Sequence, residues 1–160
     1  MRALQLLGPS TGGIRMHVAA LAAGLEHLGV VAPVLGPAGV LDGRGTQAGV
    51  VPVPAGTSPV GLLRARRALA PWREDADVLH AHGLKAAWVA VRGRPRRPVV
   101  ITVHNVVLDE TAGRAAGLQR RLERAVLARA DRVIAPSDAI AEGLVGTVAR
   151  DRIRVVVPVS

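Results

Sequence analysis

Histidines and a glycine-rich turn are the groups in this chain best suited to chemistry. His104 and Asn105 directly follow the apolar run Val99–Val103. In an open parallel sheet, ligands gather outside the carboxyl ends of the strands, so a strand over this run would present both side chains there. An imidazole can orient a hydroxyl or support developing charge near neutral pH. His104 is therefore the best single candidate for a catalytic group, and a structural role is the alternative.

A second pair of histidines, His80 and His82, ends a short apolar segment that begins at residue 77. On a strand the two side chains share a face, and His82 lies at the carboxyl end. A zinc site needs three or four ligands, and no Cys or carboxylate stands at suitable spacing, so no metal is predicted. His82 is a candidate ligand contact, whereas a buried, hydrogen-bonded role is equally open for His80.

The glycine-rich turn Gly8-Pro9-Ser10-Thr11-Gly12-Gly13 leaves the first apolar run and opens a helical pattern. Glycines let a backbone approach a ligand, and free N–H groups at a helix start attract phosphate. Ile14 and Arg15 replace the Lys and Ser/Thr of a P-loop, which argues against ATP or GTP hydrolysis. Two interpretations of the turn stay open: it binds a phosphate, or its glycines only allow the backbone to turn tightly. His17, one turn later, either faces the same edge or lies on the solvated surface.

No complete catalytic set follows from the sequence. No Ser-His-Asp arrangement can be assembled, and the carboxylates Asp109 and Glu110 are neighbours in a predicted loop. The residues by themselves predict a ligand-binding domain with several histidines near a glycine-rich turn.

Short apolar runs alternate with helical patterns from end to end, which predicts βα repeats around a mostly parallel sheet. Strands are predicted at 2–7, 30–35, 50–53, 77–82, 99–103, 132–135 and 153–157. Helices are predicted at 14–28, 58–70, 84–91, 112–130 and 137–145. We therefore expect one α/β domain over residues 1–160, a Rossmann-like, doubly wound sheet of six or seven strands with helices on both faces.

Composition narrows the classes of partner. Nearly half of the residues are hydrophobic, yet Phe and Tyr are absent, so the core must consist of aliphatic side chains. Trp88 lies on an apolar helical stripe and is assigned to that core. With two Trp as its only Phe, Tyr or Trp rings, the chain lacks an aromatic stacking platform, so single-stranded nucleic acid is excluded as a partner. The absence of Cys fits a reducing cytosol. The net charge of +9 comes almost entirely from Arg, which is typical of a GC-rich genome and compatible with anionic partners.

Five segments in this order resemble the N-terminal domain of bacterial family-4, GT-B-type retaining glycosyltransferases. They are Gly12-Gly13 with His17, Asp77–His82, Ile101–Asn105, Ala130–Ser137 and Arg152–Pro158. The resemblance implies two Rossmann-like domains with a cleft between them. The N-terminal domain would mainly bind the acceptor, and the C-terminal domain would hold a nucleotide-diphosphate sugar.

The resemblance also implies roles for individual residues. Gly12 and Gly13 would approach the donor diphosphate through their N–H groups. His104 would face the transferring sugar and act in catalysis, while His17, His82 and Asn105 would bind the hydroxyl acceptor. Such enzymes transfer the sugar without a bound metal, so no cofactor is implied besides the donor substrate.

The 160 residues depart from the family pattern at their end. The C-terminal domain, with its Arg/Lys pair and Glu-x7-Glu element, is missing, and Val159-Ser160 replaces the usual Asn-Gly. We therefore expect the chain to be inactive alone. Two alternatives are a stand-alone domain that binds a nucleotide or phosphorylated ligand without catalysis, and half of a sugar-nucleotide epimerase.

The segment Leu62–Leu69 is short, apolar and rich in Arg. Similar helices in the family touch anionic lipid, through apolar area and charge attraction. The expectation is a cytoplasmic protein with peripheral contact at the inner face of the membrane. An ordinary helix with a solvated Arg-rich face is the alternative.

Overall fold

The structure is a computed structural model that describes residues 1–10, 12–56, 58–104 and 114–157. Asn105 and the two predicted loop carboxylates lie outside the described residues. The described strands form one parallel sheet: β1 (Ala3–Leu7), β2 (Val34–Gly36), β3 (Gln47–Val50), β4 (Val78–His82), β5 (Val99–Thr102), β6 (Arg132–Ala135) and β7 (Ile153–Val155). The described helices are α1 (Gly13–His27), α2 (Pro59–Glu74), α3 (Leu84–Ala90), α4 (Arg114–Leu127) and α5 (Asp138–Leu144), with a 3-10 turn at Arg150–Arg152.

The strand order is β3-β2-β1-β4-β5-β6-β7, so the winding direction reverses between β1 and β4. Alternation along β1 sends Leu4 and Leu6 into the core cluster that contains residues of α2 and α3, whereas Leu7 packs with Val18 of α1. Helices therefore cover both faces of the sheet. The predicted doubly wound α/β fold is confirmed, and its switch point is the expected position of a ligand crevice.

Two strands differ from their predicted bounds because of prolines. The segment predicted at 30–35 is regular only over Val34–Gly36, because Pro33 has no N–H to continue the ladder. The strand predicted at 50–53 lies at Gln47–Val50 instead. Pro52 and Pro54 interrupt the later segment, although Val51 and Val53 are buried there.

Helix α2 runs four residues beyond its predicted end at 70, through Pro71 to Glu74. The last turn is held by Arg73, which is 3% exposed and donates hydrogen bonds from Nη2 to the carbonyls of Ala90 and Arg92. These tertiary contacts keep the turn helical despite the hydrogen bond that proline removes.

Candidate active site

Three neighbouring strands end side by side at the switch point. Leu7 of β1 is in register with His82 of β4, and His82 is in register with Thr102 of β5. The chain leaves all three strands at one edge of the sheet, where there is a cleft of about 580 Å³. The residues that line it include Ser10, Ile14, His82, Lys85, Trp88 and His104.

The first residues of the glycine-rich turn form one wall of this cleft. A Cβ on Gly8 would lie 3.3 Å from the Cβ of Lys85, so glycine lets the turn pass close to the start of α3. Gly12 has φ +63° and ψ −131°, a conformation that other residues rarely adopt. A Cβ at Gly12 or Gly13 would meet nothing within 4 Å. Of the described turn residues, Gly8, Pro9 and Ser10 line the cleft, whereas Gly12 and Gly13 are not among the residues that line it.

Four histidines converge at the edge of the sheet. The ring centroids of His82 and His104 are 5.7 Å apart and stacked, and His17 of α1 lies 5.7 Å from His104 and 6.1 Å from His82. His80 stands behind His82, with ring centroids 4.2 Å apart. The structure thus brings together the three histidines singled out for a ligand site. The sequence left open whether His17 faces this edge or the solvated surface. In the structure it faces the edge, beside His82 and His104.

A buried hydrogen bond sets the tautomer of His82. The amide of Gln5 donates from Nε2 to the carbonyl of Ala3, so its oxygen Oε1 is the atom that faces His82 Nε2, at 2.9 Å. Because an amide oxygen only accepts, Nε2 of His82 must carry the proton. In the neutral ring the other nitrogen, Nδ1, is then an acceptor. Nδ1 is buried and has no hydrogen-bond partner among the described residues.

The surroundings of His80 indicate a structural role. It is 9% exposed, and its Nε2 lies 2.7 Å from the hydroxyl of Thr102 on the adjacent strand. This hydrogen bond supports the structural interpretation of His80. It also fixes the ring against which His82 packs.

Burial keeps the imidazoles of the site neutral. The pKa of His104 is lowered to about 4, chiefly by desolvation and further by repulsion from His17. Desolvation, followed by repulsion from His17 and His104, lowers the pKa of His80 to about 4. The pKa of His82 is held well below its usual value by burial and by the neighbouring histidines. These three rings can therefore accept hydrogen bonds at neutral pH.

Several buried polar atoms around the cleft lack a partner within the described parts of the chain. They are Ser10 Oγ, His82 Nδ1, Trp88 Nε1 and His104 Nε2. Leaving a buried polar group unpaired costs about 1–3 kcal/mol, so such a concentration indicates a place where a polar ligand or water binds.

Some residues of the cleft were missed or misassigned from the sequence. Trp88 packs against the core as expected, yet it also lines the cleft. Lys85 carried no signal beyond its place at the start of a helical pattern, and Gln5 stood out only as a polar residue in an apolar strand. Glu123 of α4 is a cleft carboxylate that nothing in the sequence marked.

Among the described residues, no three His, Cys, Asp or Glu side chains are arranged to hold a metal ion. In the same parts of the chain, no helix is both long enough and apolar enough to cross a bilayer.

Residues 12–159 match the model of a family described as a glycosyl transferase 4-like domain. The chain belongs to this family. The match spans all five segments that carried the resemblance in the sequence and confirms the family expected from them. No curated protein matches this glycosyl transferase 4-like domain in sequence.

Solved structures share the fold of the domain at low sequence identity. Anabaena HepE in complex with UDP is 20% identical, with a TM-score of 0.75 over 99% of this chain and 44% of its own. A Rickettsia bellii UDP-N-acetylglucosamine 2-epimerase is 12% identical, with a TM-score of 0.70 over 97% of this chain and 44% of its own. Acinetobacter baumannii MurG is 17% identical, with a TM-score of 0.63 over 100% of this chain and 46% of its own. The domain therefore spans less than half the length of each of these proteins.

Proposed function

We propose that this domain is the N-terminal, acceptor-binding half of a retaining glycosyltransferase, which transfers a sugar from a nucleotide-diphosphate sugar to an acceptor hydroxyl. The observation that carries the proposal is the cleft at the switch point, where neutral His82 and His104 each have a buried nitrogen without a partner among the described residues. The family match supports a transferase. The Anabaena protein, which was solved with UDP and with UDP-glucose, supports a nucleotide sugar as donor.

In this proposal His104 is the catalytic residue. Its neutral ring accepts or donates a single hydrogen bond without carrying charge, so it can orient the acceptor hydroxyl toward the transferring sugar. The pKa of about 4 makes His104 a poor base at neutral pH. Removal of the hydroxyl proton is therefore assigned to a phosphate oxygen of the donor, and no metal takes part.

The acceptor subsite is proposed to lie beside His104. His82 accepts a hydrogen bond from an acceptor hydroxyl at Nδ1, because Gln5 fixes its proton on Nε2. His17 contributes from beside the stacked pair, since its ring stands edge-on to both other rings at about 6 Å. Asn105 remains a proposed acceptor contact that lies outside the described residues.

Gly12 and Gly13 are proposed to meet the donor diphosphate with their backbone N–H groups. The open space around both positions supports this role, since a Cβ there would touch nothing within 4 Å. Gly13 is the first residue of α1, where N–H groups lack helical partners and favour an anion.

The donor is proposed to be held mainly by a second α/β domain, as the coverage of only 44% of the Anabaena protein supports. This domain alone is then inactive and binds nucleotide sugars weakly. The protein is assigned to the cytoplasm, with the Arg-rich surface of α2 in peripheral contact with anionic lipid.

The decisive experiment measures nucleotide diphosphate release by the intact protein that carries this domain, with and without acceptor. His104→Ala should lower kcat by about 100-fold, within the range attributed to positioned proton-handling groups. The matched control is His27→Ala, because His27 is exposed at the end of α1, outside the cleft. Equal kcat for the two variants would contradict the catalytic role of His104.

A titration of the isolated domain tests whether it binds the acceptor more tightly than the nucleotide-sugar donor. Trp88 lines the cleft, so its fluorescence should report binding there, with an acceptor expected to bind more tightly than UDP-glucose. Submicromolar binding of a nucleotide sugar by this domain would contradict the proposal. Tight nucleotide binding without transfer by the intact protein would instead favour a binding domain that does no chemistry.

A further inference from the structure

A second pocket, of about 280 Å³, lies between α2, α3 and α4. Leu62, Val91, Leu122 and Val126 supply apolar surface to it. Trp88 lines both this pocket and the catalytic cleft, so the two sites are neighbours. We name this site the three-helix pocket. Its volume is just below the range of about 300–1,000 Å³ usual for small-molecule sites, which favours a slender ligand over a sugar nucleotide.

The charged residues of the three-helix pocket all have one sign. Arg66, Arg92 and Arg129 line it, and no Asp or Glu does so among the described residues. None of the three forms an ion pair with a described carboxylate. They come from α2, from the end of α3 and from the end of α4, so the fold gathers them from distant parts of the chain.

Arg66 lacks compensation for its burial. Its Nη2 donates to the carbonyl of Trp88 at 2.7 Å, but its Nε is buried without a partner in the described parts of the chain. Desolvation and the nearby charge of Arg92 both lower the pKa of Arg66. An anion at the pocket would pair with Nε and relieve the repulsion between the two guanidinium groups.

We propose that the three-helix pocket binds an anionic amphiphile, with a single hydrocarbon chain on the apolar surface and a phosphate, sulfate or carboxylate head at the arginines. A simple anion would leave the apolar surface exposed, and a neutral hydrocarbon would leave the arginines without a counter-charge. Leu122 is 39% exposed, so an occupant would remove apolar surface from water. The site is separate from the catalytic cleft and does not depend on the proposed transferase activity.

The first test titrates the domain with decyl phosphate below its critical micelle concentration, read by Trp88 fluorescence. Inorganic phosphate and the neutral decyl maltoside are the reference ligands. We expect saturable binding of decyl phosphate, at least about tenfold tighter than either reference, because only it satisfies both parts of the pocket. Equal binding of decyl phosphate and either reference ligand would overturn the proposal.

Matched double variants locate the binding. Arg92→Gln with Arg129→Gln removes two charges from the pocket, whereas Arg132→Gln with Arg154→Gln removes two from exposed positions of β6 and β7 outside it. The pocket variant should weaken decyl phosphate binding by about tenfold, and the strand variant by less than about twofold, because surface charges at a distance are screened. Equal effects of the two variants would show general charge attraction and refute a specific site.

Vesicles distinguish the source of the amphiphile. Co-sedimentation is compared for phosphatidylcholine vesicles with and without phosphatidylglycerol. Loss of binding to the anionic vesicles in the pocket variant, but not in the strand variant, assigns the pocket to a membrane lipid. Wild-type binding of decyl phosphate without pocket-dependent vesicle binding assigns it to a free amphiphile, and both results support the proposal.

Discussion

Acidification should destabilise the domain through the histidines of its cleft. Folding holds the pKa of His80 and His104 at about 4 and that of His82 well below its usual value, mainly because the rings are buried. In the unfolded chain each ring titrates near pH 6.5. As the pH falls through 6.5, the unfolded chain therefore gains protons that the folded domain does not take up until about pH 4. The pH-dependent contribution of these neutral rings to stability is fully present above pH 6.5 and is lost as the pH falls from 6.5 to 4.

The size of the effect follows from proton linkage. At pH 5.5 an unfolded histidine is about 90% protonated, whereas folded His80 and His104 are nearly unprotonated, so unfolding takes up roughly 1.8 protons at these two sites. The free energy of unfolding should then fall by about 2.4 kcal/mol per pH unit, and His82 adds to the loss in the same direction. From pH 6.5 to 5.0 the loss from His80 and His104 is about 3 kcal/mol, which is a large part of the stability of a marginal domain.

Urea denaturation at constant ionic strength measures this loss, followed by circular dichroism at pH 7.5, 6.5, 5.5 and 5.0. Working at or above pH 5 keeps most carboxylates ionised, so the histidines dominate. A His27→Gln control should keep the full pH dependence, because His27 is exposed. A change in the free energy of unfolding below about 1 kcal/mol over this range would refute the conclusion that the cleft histidines are neutral.

Two further substitutions test the packing behind the site. Gln5→Leu should destabilise the domain by about 1–3 kcal/mol, because the buried Nε2–H of His82 loses its acceptor. Nitrogen NMR of the imidazole should then show a mixture of tautomers in place of one, and an unchanged spectrum would disprove the role of Gln5. Gly49→Ala should cost about 1–3 kcal/mol in thermal melts, since its Cβ would lie 2.5 Å from Cζ2 of Trp72. Gly56→Ala, with open space around it, should change stability much less, and equal losses would contradict the steric explanation.

Much of the fold could be predicted because the strands are short, apolar and separated by helical patterns. The same signal failed at β3, where the apolar residues at 50–53 are buried but the ladder forms at Gln47–Val50. Burial and strand pairing usually coincide, and prolines at 52 and 54 separate them here. The Gln47 amide also hydrogen-bonds to the carbonyls of Gly36 and Pro37, a contact that depends on the position of a neighbouring strand.

Only the residues of the site that follow directly from the ends of strands could be predicted from the sequence. His82 and His104 follow apolar runs, and the common edge of a parallel sheet brings such residues together. The partner of His82 could not be found in this way, because Gln5 reaches it only once β1 and β4 pair in a particular register. Lys85 and Trp88 likewise enter the cleft through the position of α3 on the sheet, which periodicity does not specify.

The charges around the cleft bear on which substrate binds there. Although the chain carries a net charge of +9, Lys85 is the sole Lys or Arg among the described residues that line the cleft, where Glu123 is also present. Proteins usually hold a diphosphate with several Arg or Lys side chains. The two neutral imidazoles that line the cleft, with the hydroxyl and indole groups that have no partner among the described residues, instead match the hydrogen bonds of an uncharged polyol. The described lining of the cleft is therefore better suited to a hydroxyl group than to a diphosphate, which supports the proposed acceptor role and the proposal that Gly12, Gly13 and a second domain bind the donor diphosphate.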